Sequence, residues 1–298
     1  MSNRRSFIKT SAAAAAGLGI SSSLSASILS PSRVLGANDR INVALIGCRN
    51  MGWYDLEDIL KQPNVECHTL CDVDGNVLED KLKNFPMNAG PTPNITMDYR
   101  MVLDNKDIDA VIIGTPDHRH CQPTVEACEA GKHVYVEKPL ANSVGEINVM
   151  LDAARKYKSL VQVGQQQRSG SHWLSAINFV KSGKLGTIRQ VKFWGNFNYG
   201  AGNMPVPDSE VPEGVDYDRW LGPAPKRPFN KNRFHGSWRM FRDYGGGLLS
   251  DWGVHLIDMG LWAMDVKSAP VSVQALGGNF ASQDRALEMP DTLSVLYE

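Results

Sequence analysis

From Ile41 onward the 298-residue chain alternates short apolar runs with helical stretches, and this alternation constrains the fold more than any other feature. "INVALIG" is followed by a helical stretch over about residues 53 to 61, then by "VECHTLCDVD", a polar helix and loop to about Tyr99, and "DAVIIGTP". A helix through "QPTVEACEAG" leads into "HVYVEKPL", and another over residues 143 to 157 leads into "LVQVGQQQ". Apolar runs too short for helices, each returned by a helix, read as parallel strands covered on both faces. The expectation is an α/β fold with a Rossmann dinucleotide-binding domain over residues 38 to 160.

After Arg168 the texture changes. A helix over residues 171 to 182 and a strand "TIRQVKFWGNF" precede a segment rich in Gly, Pro, Trp and Arg that runs to Gly247. A loop of that length in a compact domain is usually functional. It carries the aromatics Tyr199, Trp220 and Trp238, with Trp194 just before it, and Arg233 and Arg239. A helix over residues 248 to 264 and two strands, "VSVQALGGNF" and "DTLSVLYE", follow. Residues 161 to 298 are expected to form an α+β domain with a large open mixed or antiparallel sheet. The last run alternates Leu293, Val295 and Tyr297 and stops without a turn signal, so the chain is expected to end inside a sheet.

Thirty-one basic and 32 acidic residues give a net charge of −1, which offers no electrostatic case for nucleic acid or an anionic membrane surface. Small molecules are the expected partners. Residues 1 to 37 differ in kind: Arg4 and Arg5, then Phe7 and Lys9, then an uncharged run of Ala, Ser, Gly and Leu. They resemble a twin-arginine export signal, which implies a periplasmic protein, and the run is too weak in large apolar residues for a stable membrane anchor. The five cysteines lack metal-site spacing and read as buried thiols; His118 and His120 have no third ligand at useful spacing, so no metal is expected.

"INVALIGCRNMGW" is the candidate cofactor turn. In the fingerprint G-x-G-x-x-G the second glycine is replaced by Arg49, while Gly47 and Gly52 keep the tight turn and the close helix contact. Asn50 tolerates left-handed backbone better than most residues. A turn of altered geometry is therefore expected, with Arg49 either pointing away or placed on a phosphate. Asp72, 25 positions after Gly47, ends the second strand, where a carboxylate accepts hydrogen bonds from ribose hydroxyls and repels a 2′-phosphate. NAD is thus favoured over NADP, with Arg49 keeping NADP open.

"GTPDHRH" closes the third strand, "EKP" (Glu137 to Pro139) closes the next, and "GGGLLSDWGVHLID" follows the long loop. Their order and spacing resemble the glucose-fructose oxidoreductase/inositol dehydrogenase (Gfo/Idh/MocA) family over residues 40 to 298. The resemblance implies that Lys138 sits near the nicotinamide and the reacting hydroxyl, that Pro139 is cis, and that the protein is a homo-oligomer. The cofactor-facing set is Gly47, Arg49, Asn50, Met51, Gly52, Asp72, Thr115, Pro116, His118, Glu137, Lys138 and Pro139. Asp251 and His255 are four apart on one helical face. His255 suits removal of an alcohol proton, Lys138 stabilises the developing negative charge, and Asp251 orients the imidazole or binds a substrate hydroxyl. Arg168 and Trp238 complete the expected substrate contacts. These features imply hydride transfer between a nicotinamide cofactor and a secondary alcohol of a sugar or polyol. Two rivals are a glycosidase that oxidises, eliminates and re-reduces with tightly held NAD, and a non-catalytic sugar- or nucleotide-binding protein.

Overall fold

A computed structural model describes residues 40–86, 89–196 and 202–298. The export-signal stretch and Tyr199 lie outside the described residues. Six parallel strands, β1 (Ile41–Ile46), β2 (Val65–Cys71), β3 (Asn94–Thr96), β4 (Ala110–Ile113), β5 (His133–Glu137) and β6 (Val161–Gly164), form one sheet in the order β3-β2-β1-β4-β5-β6. This is the Rossmann order, and its reversal point lies between β1 and β4.

The sheet is buried on both sides, as its near-continuous apolar runs require. Alternate residues of β1 divide between two cores. Ala44 and Ile46 join Val111, Ile113, Val134 and Val136 on the face covered by α4 (Cys121–Glu129) and α5 (Val144–Tyr157). Val43 and Leu45 join Leu70 and Ile112 on the face covered by α1 (Asn50–Ile59) and α2 (Gly75–Lys83). Helix starts are set locally. Asp74 caps α2, Asp98 caps α3 (Tyr99–Asp104), and Ser143 with Glu146 forms a reciprocal capping box on α5.

The second half holds α6 (Ser171–Lys181), the short α7 (Tyr217–Leu221), a π-helical turn Leu249–Gly253 that runs into α8 (Val254–Ala263), and strands β7 (Val273–Gly278) and β8 (Thr292–Tyr297). β7 and β8 pair antiparallel from Val273 opposite Tyr297 to Gly278 opposite Thr292. Among the described residues this small sheet stands where a large open one was expected. The missing strand is "TIRQVKFWGNF": residues 187 to 196 are mostly exposed and join no ladder, Trp194 being 77% exposed. Alternation makes a strand only where a neighbour supplies hydrogen-bond partners. Conversely, β3 arises from three residues inside a stretch read as loop, because Leu70 and Cys71 offer it a free edge.

The segment after residue 202 is not an open loop. Tyr217, Trp220, Phe229, Phe234, Trp238, Met240, Phe241 and Tyr244 bury one another in a third core. His118 ties that core to the sheet: its Nε2 donates to the Trp220 carbonyl at 3.0 Å, and its ring meets those of Trp220 and Tyr244.

The tightest backbone contact lies at the end of β1. Gly47 has φ +91°, and a Cβ there would stand 2.7 Å from the Gly114 carbonyl carbon; a Cβ on Gly114 would stand 2.5 Å from Gly52 Cα. Because both neighbours are backbone, neither can swing away. Gly114→Ala is expected to lower stability by about 1–3 kcal/mol through overpacking, read as a lower midpoint in denaturant unfolding with an unchanged slope.

Candidate functional site

The carboxyl ends of β1, β2, β4 and β5 converge at the crevice where a doubly wound sheet takes its ligand. At β1 the turn has the altered geometry expected of it. Arg49 adopts φ −101°, ψ 163°, an extended conformation that needs no glycine, and the left-handed residue is Asn50 at φ +39°. No side chain caps the N-terminus of α1, so its first N–H groups are free for a phosphate.

Asp72 closes the turn from the β2 side. Its Oδ2 accepts the Cys48 N–H at 2.8 Å and its Oδ1 accepts the Asp74 N–H at 3.1 Å. Burial pushes its carboxyl up to about 6, against the pull of those two hydrogen bonds and of nearby Arg49. Arg49 therefore lies toward the β2 end of the crevice. Beyond Asp72, His235 Nε2 sits 2.7 Å from Asp74 Oδ2, so the aromatic segment reaches this end too. The uncapped helix start, the glycine contact and a carboxylate ending β2 fit a dinucleotide.

At β4, Thr115 Oγ1 donates to the Arg119 carbonyl, and Pro116 starts a short turn. His118, expected to face the cofactor, is instead buried against the aromatic core. Its ring is apolar enough on both faces to pack there, and burial holds it well below its ordinary pKa, at about 4, hence neutral. His120 spans the turn, with Nδ1 2.7 Å from the Pro139 carbonyl and Nε2 2.8 Å from that of Thr115.

At β5 the Lys138–Pro139 peptide is cis. Lys138 Nζ donates to Asp251 Oδ1 at 2.6 Å and to the Asp251 carbonyl at 3.0 Å; their side chains are only 8% and 7% exposed. The π turn carries Asp251 with both its oxygen types toward the ammonium. Arg239 Nε stands 3.1 Å from the same Oδ1, and its guanidinium lies over the Trp238 ring at 4.2 Å. One carboxylate thus holds two cations from different segments.

His255, one turn beyond Asp251, is close enough to Lys138 for the ammonium to act on it. Burial first, then Lys138, lowers its pKa, and its Nδ1 is buried without a hydrogen-bond partner among the described residues. The ring is therefore neutral at neutral pH, with a nitrogen able to take a proton. Asp117, which the sequence reading passed over, is buried beside this group: burial and Asp251 push its carboxyl up to about 8 against Arg239 and Lys138.

Two expected substrate contacts are committed elsewhere. Arg168 makes a bidentate pair with Asp258, 2.7 Å on each arm, and its guanidinium stands 5.3 Å from the centre of the Trp262 ring. Trp238 is 7% exposed within the aromatic core, so Arg239, above its ring, is the group that this segment delivers to the site. Arg239 and Asp117 gain meaning only from contacts far along the chain. A carboxylate at a strand's carboxyl edge was the one available signal for Asp117.

Comparison with known proteins agrees with this geometry. A family model described as an oxidoreductase family with an NAD-binding Rossmann fold matches residues 41–165, and one described as its C-terminal alpha/beta domain matches residues 178–285. A glycosyl hydrolase family 109 protein of Shewanella baltica is 30% identical over 202 residues, 62% of this chain and 44% of that protein. The chain thus spans less than half the length of that relative. Among solved structures, the WlbA dehydrogenase of Bordetella pertussis, in complex with NADH and UDP-GlcNAcA, is similar with a TM-score of 0.63 and 20% identity over 87% of this chain and 64% of that one. An aldose-aldose oxidoreductase of Caulobacter crescentus, complexed with glycerol, gives 0.60 and 22% over 87% and 68%. At such identities the likeness is one of fold.

The electrostatics of the site can be read directly. Removing the ammonium in Lys138→Met is expected to raise the His255 pKa, because a like charge no longer opposes imidazolium formation. An NMR titration of the imidazole should show the midpoint moving to higher pH.

Proposed function

Because the chain belongs to the Gfo/Idh/MocA oxidoreductase family, we propose that it transfers hydride between a nicotinamide cofactor and a secondary alcohol of a sugar or polyol. The observation that carries this reading is the buried Lys138–Asp251 pair at the carboxyl edge of the sheet, with neutral His255 beside it. NAD, when bound, supplies the hydride acceptor. The turn at Gly47, the free N–H groups of α1, and Asp72 hold the dinucleotide, and Asp72 favours NAD by repelling a 2′-phosphate.

His255 takes the hydroxyl proton. Lys138 places positive charge where the alkoxide develops, in a site dry enough for that charge to act strongly. Asp251 fixes the ammonium and is itself held by Arg239, so the charge is aimed before substrate arrives. Family members and neighbours named for sugar chemistry support a carbohydrate, and Arg4 and Arg5 with the following uncharged run support export by a twin-arginine route to the periplasm.

Purified protein should bind NAD and, with a matching sugar or polyol from a panel, develop nicotinamide absorbance. Including aryl glycosides in the panel reads the redox glycosidase directly, through released aglycone. Lys138→Ala and His255→Ala are each expected to lose about 10²–10⁴-fold in turnover while still binding NAD. Failure to bind any nicotinamide cofactor would leave the sugar-binding reading in its place.

A further inference from the structure

The second half of the chain is stitched to the loops that follow β2 and β3. Gly75 N–H donates to the Gly214 carbonyl and Asp216 N–H to the Val73 carbonyl, each at 2.8 Å, and Asp74 forms an antiparallel bridge with Val215. Arg219 donates to the Met97 carbonyl and to Asp98 Oδ2, both at 3.0 Å. His235 adds a contact of another kind. It takes a left-handed backbone, φ +56°, uncommon for a residue with a Cβ and kept only where the surroundings over-determine it. Its ring lies against that of Phe234, centroids 3.8 Å apart, and its Nε2 donates to Asp74 Oδ2 at 2.7 Å.

That contact leads to the cofactor turn. Asp74 Oδ1 is taken by the Asn76 N–H that starts α2. The Asp74 N–H donates to Asp72 Oδ1 at 3.1 Å, and Asp72 Oδ2 accepts the Cys48 N–H at 2.8 Å. A continuous path therefore runs from His235 through two buried acidic residues to the turn after β1. We infer that His235 is a positioning residue for the cofactor: acting through Asp74 and Asp72, it sets the adenosine end of the crevice, which the second half of the chain encloses. This rests on the reading of the crevice as a dinucleotide site.

The segment does not need His235 in order to stay attached, because the backbone hydrogen bonds and Arg219 already attach it. Asp72 has one backbone donor on each oxygen, and a carboxylate has about four acceptor sites, so the two donors aim it and leave capacity for ribose hydroxyls. One of those donors belongs to Asp74, the residue that His235 grips. With pyrophosphate at α1 and ribose at Asp72, the adenosine end falls toward β2 and β3. A groove of about 550 Å³ opens there, lined by Met97 just past β3 and by Val211, Gly214 and Val215 of the second half. Its apolar side chains suit the flat face of a purine. Without the His235 bond, Asp74, whose side chain is only 9% exposed, would keep a carboxylate oxygen short of its donor, and the stretch that aims Asp72 would relax.

Calorimetric titration of the full chain with ADP-ribose, which carries the adenosine end and lacks nicotinamide, tests this beside fluorescence titration with NADH. In His235→Ala both ligands are expected to bind about tenfold more weakly, by the same factor, as suits the loss of one hydrogen bond to a charged group. His235→Gln, which can carry an N–H to nearly the same point, should recover most of that loss, as a change in packing alone would not. Unchanged affinity in His235→Ala, a loss for NADH that ADP-ribose does not share, or a loss that glutamine does not reduce would overturn the inference. Should the alanine variant not fold, amide exchange of the wild type decides: ADP-ribose should slow exchange at residues 234 to 236 as well as at 47 to 52 and 72 to 76. Protection confined to the first half would overturn the inference while leaving the dinucleotide reading intact. A wild-type chain that binds neither ligand would overturn that reading, and the inference with it.

Discussion

The carboxylate of Asp251 holds the site together. Lys138 comes from the end of a parallel strand, Arg239 from the aromatic segment, and Asp251 from a π turn before α8, and all three meet at one oxygen atom. Burying such ions costs several kcal/mol each, and their attraction offsets this only when the geometry is good and the remaining donors are satisfied. Here the ammonium has two oxygen acceptors on one residue. Losing Asp251 would leave two buried cations without their counter-charge, so the arrangement depends on it. That requirement fixes how the second half of the chain lies over the sheet.

The aromatic segment follows from this. A guanidinium can be aimed at a buried carboxylate only if its own backbone is immobile, and a run rich in Gly and Pro is immobile only if it has a core. Tyr217, Trp220, Phe234 and Trp238 supply one, with ring centroids of neighbouring pairs such as Tyr217–Phe229 and Trp220–Phe234 within about 5.5 Å. His118 and the His235–Asp74 contact then pin this core at two points of the crevice, near β4 and near β2. The segment is accordingly less a lid than a second wall.

How much of this could be read from sequence follows the range of the interactions. The sheet order, the helix starts at Ser143 and Asp74, the left-handed Asn50 and the placing of Lys138, Asp251 and His255 near one another rest on local patterns or on motifs at strand ends. Their partners are set by neighbours or by a repeated architecture. The strand expected at residues 187 to 197 failed for the opposite reason: alternation was present, but a strand needs a neighbour and none of the described residues pairs with it. Trp238 and His118 were placed facing ligand because aromatic and imidazole rings can do so. The structure buries them because the same rings are large apolar surfaces, and exposure is decided by distant segments. Arg239 carries no signal of its own and gains its place only from Asp251.

The charge count around Lys138 shows why these distant contacts matter to the chemistry. Fully ionised, Asp55, Asp117, Glu137 and Asp251 would set four negative charges against Lys138 and Arg239. A site built that way would repel a developing alkoxide, which is itself an anion. Burial resolves the conflict by holding protons on the acids that lack a bonded cation. Asp117 is pushed up to about 8, and burial raises the Asp55 and Glu137 carboxyls above the usual carboxylate range. Asp251 instead lies against two cations. The two cations are then no longer outnumbered at the carboxyl edge, so the ammonium can stabilise negative charge on a substrate oxygen. Glu137 ends a strand of the sheet itself and Asp117 follows another, so the polarity of the site is set by how deeply the fold buries carboxyl groups as much as by the residues that touch the reacting atoms.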